Sequence, residues 1–151
     1  MKLNFPAYPI PLKKVGNKNY LFGFVRRKYL LWTPEEWVRQ HVLQFLVKDR
    51  AYPKSFLAVE KALKVNTLLR RTDVVAYNKS GEPVLIVECK APHVKITQAV
   101  FDQIAAYNIS LKVAYLFVTN GLEHYCCKID YEANSYSFIE DLPFFEEIGD
   151  V

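Results

Sequence analysis

The apolar run Val84-Leu85-Ile86-Val87, broken at its end by Glu88-Cys89-Lys90, is the feature that most narrows the folds open to this chain. Four consecutive apolar residues bounded by turn formers predict a strand covered on both faces, as in a layered α/β domain. The preceding run, Arg70-Arg71-Thr72-Asp73-Val74-Val75-Ala76-Tyr77, is joined to it by Asn78-Lys79-Ser80-Gly81. That cluster of turn residues between Val- and Tyr-rich runs predicts a hairpin. Alternation sends Glu88 and Lys90 to one face and Cys89 to the other. A carboxylate and an ammonium leaving an apolar strand together need compensation, because buried charges are costly unless paired or bound to a metal. The hairpin brings Asp73 beside Glu88. Two carboxylates that close repel each other, and a divalent cation relieves the repulsion. The Lys90 ammonium then lies at the metal's outer rim, where an attacking water or a scissile phosphate belongs.

Asp73 followed by Glu88-Cys89-Lys90 resembles the signature of the PD-(D/E)XK nuclease superfamily, with Thr72 where the superfamily's name has proline. The flanks Arg71-Thr72-Asp73-Val74-Val75 and Pro83 through Pro92, then Gln103 and Tyr107, are similar to the N-terminal nuclease domain of type I restriction enzyme R subunits, from about Thr33 to Gly121. The resemblance implies a restriction-endonuclease-like α/β core: a central mixed β-sheet flanked by helices in αβββαβ order, here with an N-terminal β-hairpin extension. It also implies a divalent-metal-dependent DNA endonuclease of the restriction type, with Mg²⁺ or Mn²⁺ as cofactor. Asp73 and Glu88 are then the metal's hard ligands, and the Cys89 carbonyl is a candidate third. Lys90 stabilises phosphate charge and orients the nucleophilic water. The Gln103-x-x-x-Tyr107 pair matches a glutamine–tyrosine element found beside related active sites, with Gln103 holding that water or Lys90. Glu35 matches the helix glutamate that many superfamily members direct at the metal or its water.

At 151 residues the chain has room for one domain with a real core. We divide it into an N-terminal arm and hairpin (1–32), the core (33–121), and C-terminal strands with a tail (122–151). No apolar run has the length of a membrane span and no signal segment opens the chain, so the expected setting is cytoplasmic, without a membrane partner. A net charge of +4 permits a polyanionic partner without demanding one. Cys89, Cys126 and Cys127, an odd count with an adjacent pair, suit neither a disulfide framework nor a zinc site. They read as small core residues.

Pro6, Pro9 and Pro11 make the first dozen residues an extended arm. A hairpin follows, Leu12–Val15 and Tyr20–Val25, turning at Asn17-Lys18-Asn19. Arg26-Arg27-Lys28 is either a solvated strand end or a phosphate contact; Arg70 and Arg71, just ahead of Asp73, are further phosphate contacts. Thr33-Pro34-Glu35-Glu36 starts a helix running to about Lys48, with Glu36 completing a capping box. The helical step puts Glu35 on the apolar side, with Val42 and Leu46, and turns Glu36 away. Glu35 either reaches the site or simply favours the helix's positive end. Phe56–Val65 is expected as a strand with Glu60 in its middle, either lining the same cleft or lying on an exposed face. Asn66–Leu69 is a connection. A second helix, about Lys95 to Asn108, carries the stripe Ile96, Val100, Ile104 and Tyr107, with Gln103 inside it. Strands Val113–Thr119, Leu122–Asp130 and Ser135–Ile139 follow, the first two turning at Asn120-Gly121. His41, His93 and His124 have no ligand spacing, and the Phe144-Phe145 tail packs on the domain or on a partner.

No G-x-x-x-x-G-K-[ST] loop is present, so the expectation is a chain that does not itself translocate DNA. It acts alone, as a homodimer, or with separate translocase or specificity subunits; cutting both strands takes two single-site copies. The alternative is a nuclease-like fold that holds nucleic acid or a protein without cutting. An RNA-directed nuclease shares all these features.

Overall fold

The Val84–Val87 run lies in a strand buried on both faces, as its unbroken apolar character predicts. The computed structural model describes residues 1–65 and 68–149, the side chains of Val65, Leu68 and Arg70 excepted. Asn66 and Thr67 of the expected connection, the last two residues of the tail, and the Arg70 side chain therefore lie outside the described residues.

Strands β1 (Leu12–Val15), β2 (Lys18–Phe22) and β3 (Tyr29–Leu31) form a three-stranded antiparallel sheet, one strand more than the expected hairpin. Helix α1 (Pro34–Arg50) follows, capped by Thr33, whose Oγ1 accepts the Glu36 N–H at 3.0 Å. After a single turn at Lys54–Phe56 come β4 (Leu57–Val59), β5 (Ala62–Val65), β6 (Leu68–Arg71), β7 (Val74–Tyr77) and β8 (Pro83–Cys89). Helix α2 (Gln98–Leu111), β9 (Tyr115–Thr119), β10 (His124–Asp130), β11 (Ser135–Ile139) and the one-turn α3 (Phe145–Ile148) complete the chain. Six strands make the main sheet in the order β11-β10-β9-β8-β7-β4. Among the described residues only β8 and β9 pair in parallel, and α2 is their crossover. The fold is thus α/β, a mixed sheet flanked by helices.

The expected single strand Phe56–Val65 is divided. At Glu60 the backbone turns left-handed (φ +52°), and its N–H bonds the Asp73 carbonyl at 2.9 Å. The chain leaves the main sheet there, and β5 and β6 pair as a separate ladder inserted between β4 and β7. β-propensity could not show this, because the break is a single residue in an otherwise strand-like run.

Strand β8 alternates between two cores. Leu85, Val87 and Cys89 face a cluster with Val38, Val42 and Leu46 of α1, whereas Ile86 joins Phe101, Ile104 and Ala105 of α2. All three cysteines are buried free thiols, as their composition suggested. The tail packs on its own domain: Leu142, Phe145 and Ile148 enter the α1 core, and the Tyr52 hydroxyl donates to the Pro143 carbonyl at 2.9 Å. Among the described residues no helix is long and apolar enough to cross a membrane.

The N-terminal arm runs along α1, from Trp37, whose Nε1 donates to the Met1 carbonyl, to Asp49, which accepts from the Tyr8 hydroxyl. Leu3 packs so tightly on the β9–β10 turn that a side chain at Gly121 (φ +88°) would meet it at 2.8 Å. Phe5 sits between the rings of His41 and His124. His41 Nδ1 donates to the Trp37 carbonyl, and His124 Nε2 donates to the Asn4 carbonyl while its Nδ1 faces the Thr119 hydroxyl. Burial holds both imidazoles below the ordinary histidine pKa of 6.5. A depressed folded-state value means the unfolded chain binds protons first, so stability is complete above pH 6.5 and falls as pH drops below it. The urea midpoint is expected to fall between pH 7.5 and 5.5, and the fall is expected to flatten in the double variant His41→Gln/His124→Gln.

Candidate active site

The antiparallel register of β7 and β8 pairs Val74 with Val87; carried one residue further, it sets Asp73 opposite Glu88. Asp73 is locked by its backbone neighbours, its Oδ2 accepting the Cys89 N–H at 2.7 Å. Lys90 follows directly, its own N–H fixed to the Thr119 carbonyl of β9 at 2.8 Å. The sheet therefore delivers Asp73, Glu88 and Lys90 to one end, where they line a cleft of about 290 Å³ with Glu35, Arg39, Glu60, Arg71 and Thr72. Cys89 also lines the cleft, its buried side chain belongs to the α1 core beside Arg39, and burial pushes its thiol pKa well up.

Arg39 is the residue that sequence reasoning missed. Its side chain is 5% exposed and its guanidinium spans the acids from below: Nη1 meets Glu36 Oε1 at 2.6 Å, and Nη2 meets Asp73 Oδ1 at 2.9 Å and Glu35 Oε1 at 3.2 Å. Glu60 Oε1 stands 3.7 Å away. Burial works against this charge, but Glu36 and Asp73 outweigh it and the guanidinium stays protonated. Glu36, expected to point outward as a capping partner, is instead buried, taking Arg39 on one oxygen and the Gln40 amide on the other at 2.8 Å. Glu36, Arg39 and Gln40, at i, i+3 and i+4, share one buried side of α1. The sequence signal was there: an i, i+3 acid–arginine pair with a glutamine beside it, which periodicity counts as polar surface.

Glu35, with 48% of its side chain exposed, lies at the mouth rather than in the apolar face. Partial burial and the nearby Asp73 raise its carboxyl pKa, against the pull of Arg39 and Lys90. Glu60 lines the cleft, and its left-handed backbone is what aims it there. A hydrogen bond from Arg26 at 2.7 Å lowers its pKa, with Arg71 at 3.3 Å assisting. Arg26, read as either a solvated strand end or a phosphate contact, donates to Glu60 and to the Val59 carbonyl. Arg27, Lys28 and Arg71 are exposed.

Gln103 and Tyr107 do not face inward as expected. Helix α2 begins at Gln98, three residues later than its apolar stripe suggested, and buries Phe101, Ile104, Ala105 and Asn108. Gln103 is exposed, Tyr107 is 43% exposed, and neither lines the cleft.

Among the described residues each Asp73 oxygen accepts one hydrogen bond, which leaves it a lone pair. Among the described residues no three Asp, Glu, His or Cys side chains converge on one point, so a side-chain cage for a metal is not built here. Two carboxylates with a backbone carbonyl remain the donor set that fits a hard divalent ion.

The family described as Type I restriction enzyme R protein N terminus matches residues 34–143. In three dimensions the chain is similar to the fragment structure of an HsdR subunit of a type I restriction enzyme from Vibrio vulnificus, with a TM-score of 0.50 and 16% identity. That likeness covers 78% of this chain and 24% of the other, and at such identity it is one of fold. No curated protein matches the chain.

Removing the guanidinium leaves Glu36 and Asp73 uncompensated. Arg39→Met is expected to cost about 3–5 kcal/mol of unfolding free energy in urea titration, whereas Lys90→Ala is expected to cost less than about 1 kcal/mol.

Proposed function

The chain belongs to the family of type I restriction enzyme R protein N-termini, and on that premise we propose that it is a divalent-metal-dependent DNA endonuclease with PD-(D/E)XK chemistry on a restriction-endonuclease-like core. One observation carries the reading: Asp73, Glu88 and Lys90, from the ends of two paired strands, line one cleft together with the helix glutamate Glu35. Asp73, Glu88 and the Cys89 carbonyl would hold Mg²⁺ or Mn²⁺, which when bound polarises a phosphoryl oxygen and acidifies water. Lys90 stabilises the charge that grows on the phosphate in the transition state. Glu35, at the cleft mouth, accepts a hydrogen bond from the incoming water and aligns it. Arg71, on the exposed rim, contacts the phosphate backbone and sets its register. Glu60 holds Arg71 and Arg26 in place rather than touching the reacting atoms.

Partners follow from the same reading. DNA is the substrate, and a break in both strands needs a second copy or a second cutting event. The chain spans 24% of the HsdR fragment it resembles, so translocase and specificity subunits belong to the proposal as companions.

The Arg39–Asp73 ion pair favours a second reading. Asp73 already has a counter-charge, which suits a domain that binds nucleic acid without a metal. Nicking of supercoiled plasmid separates the two. The nuclease cuts only with Mg²⁺ or Mn²⁺, and Asp73→Ala and Lys90→Ala each reduce cutting by more than about 10²-fold with DNA binding retained. Binding that ignores metal, Asp73 and Lys90, with no cutting by the wild type, would establish the binding module instead.

A further inference from the structure

We propose that the outer face of the N-terminal sheet is a platform for single-stranded DNA: unpaired bases stack on Tyr20, Phe22 and Tyr29 while Lys13, Lys18 and Arg27 take the phosphates. The choice of DNA rests on the nuclease reading; the platform itself rests on four observations about this sheet.

The first is register. Cross-strand partners share a face, and Lys13 pairs with Tyr20, Tyr20 with Leu31, Val15 with Lys18, and Phe22 with Tyr29. The other face turns Leu21 inward, fully buried, so the face with the rings is the open one. Its members are exposed for apolar residues: Val15 57%, Leu31 52% and Tyr29 39%.

Charge is the second. All 16 Asp and Glu residues of the chain lie at Glu35 or beyond, while seven of the 20 Lys and Arg precede it. A surface with cations, rings and no acid is complementary to a polyanion and not to an ordinary mixed-charge protein surface. Third, the cations already lie on the rings. Lys13 Nζ is 4.2 Å from the Tyr29 ring centroid and the Arg27 guanidinium is 5.6 Å from that of Phe22. A base stacking on a ring takes that place and releases the cation to the adjoining phosphate. A duplex hides its base faces, so among nucleic acids exposed rings on a sheet suit unpaired bases.

The fourth is continuity with the cleft. The turn after β2 carries Arg26, bonded to Glu60 on the cleft wall, and presents Arg27 and Lys28 beyond it. The sheet precedes residues 34–143, so it stands outside what the family match describes.

Fluorescence anisotropy of the full chain with a labelled oligothymidylate tests this. Tyr29→Ala is expected to weaken binding about fivefold to a hundredfold, with Tyr29→Trp retaining it and the urea midpoint unchanged. Lys18→Ala is expected to reduce the salt slope of log K by about 0.7. An abasic oligomer of equal charge is expected to bind more weakly and to ignore Tyr29→Ala. Oligothymidylate binding by the wild type is expected to persist in EDTA, which separates this test from the metal-dependent plasmid assay. Equal binding of thymidylate and abasic oligomers, no effect of Tyr29→Ala, or preference for oligouridylate would each overturn the proposal. So would self-association through this face, lost in Leu31→Lys, without oligonucleotide binding. Should plasmid nicking fail while Tyr29-dependent binding persists, the nuclease reading falls and the platform stands.

Discussion

A buried guanidinium organises the cleft end of this domain. Arg39 gathers acids from three separate stretches of chain: Glu35 and Glu36 on its own helix, Glu60 at a left-handed bend, and Asp73 ahead of β7. Without it, those carboxylates would repel one another at short range where helix, inserted ladder and hairpin meet. Hydrogen bonding through both Nη atoms offsets the desolvation that a buried charge incurs. The same arrangement gathers the acids around one guanidinium at the cleft end of the domain.

The sheet supplies what Arg39 cannot, namely direction. Antiparallel pairing of β7 and β8 sets Asp73 across from Glu88, and parallel pairing of β8 with β9 fixes Lys90 through Thr119. Each side chain at the cleft thus stands on backbone tied into the centre of the fold. The acids from α1 and from the Glu60 bend close the remaining sides.

Periodicity made the strands legible. The Val84–Val87 run, its turn at Asn78–Gly81, the Thr33 cap and the adjacency of Asp73 to Glu88 all follow from local patterns that the structure contains. Less legible was anything decided by a single residue or by a helix's rotation. Glu60's bend is one dihedral, and no propensity scale registers one dihedral. Glu36 and Arg39 face inward because their charges neutralise each other; a rule that counts polar residues as surface assigns them outward. Gln103 and Tyr107 failed for the opposite reason. A stripe drawn through Ile96, which precedes the helix, and Val100 misplaced the buried face, which runs through Phe101, Ile104, Ala105 and Asn108 and leaves Gln103 and Tyr107 outside it.

The clasp between Asn4 and Gly121, 2.7 Å from nitrogen to oxygen, joins the arm to a turn that exists only after β9 and β10 have met. Closing so large a loop is entropically demanding and is repaid late in folding. A ribosome would release the arm long before its seat has been made. It must wait, solvated and held extended by its prolines, until almost the whole domain has been synthesised.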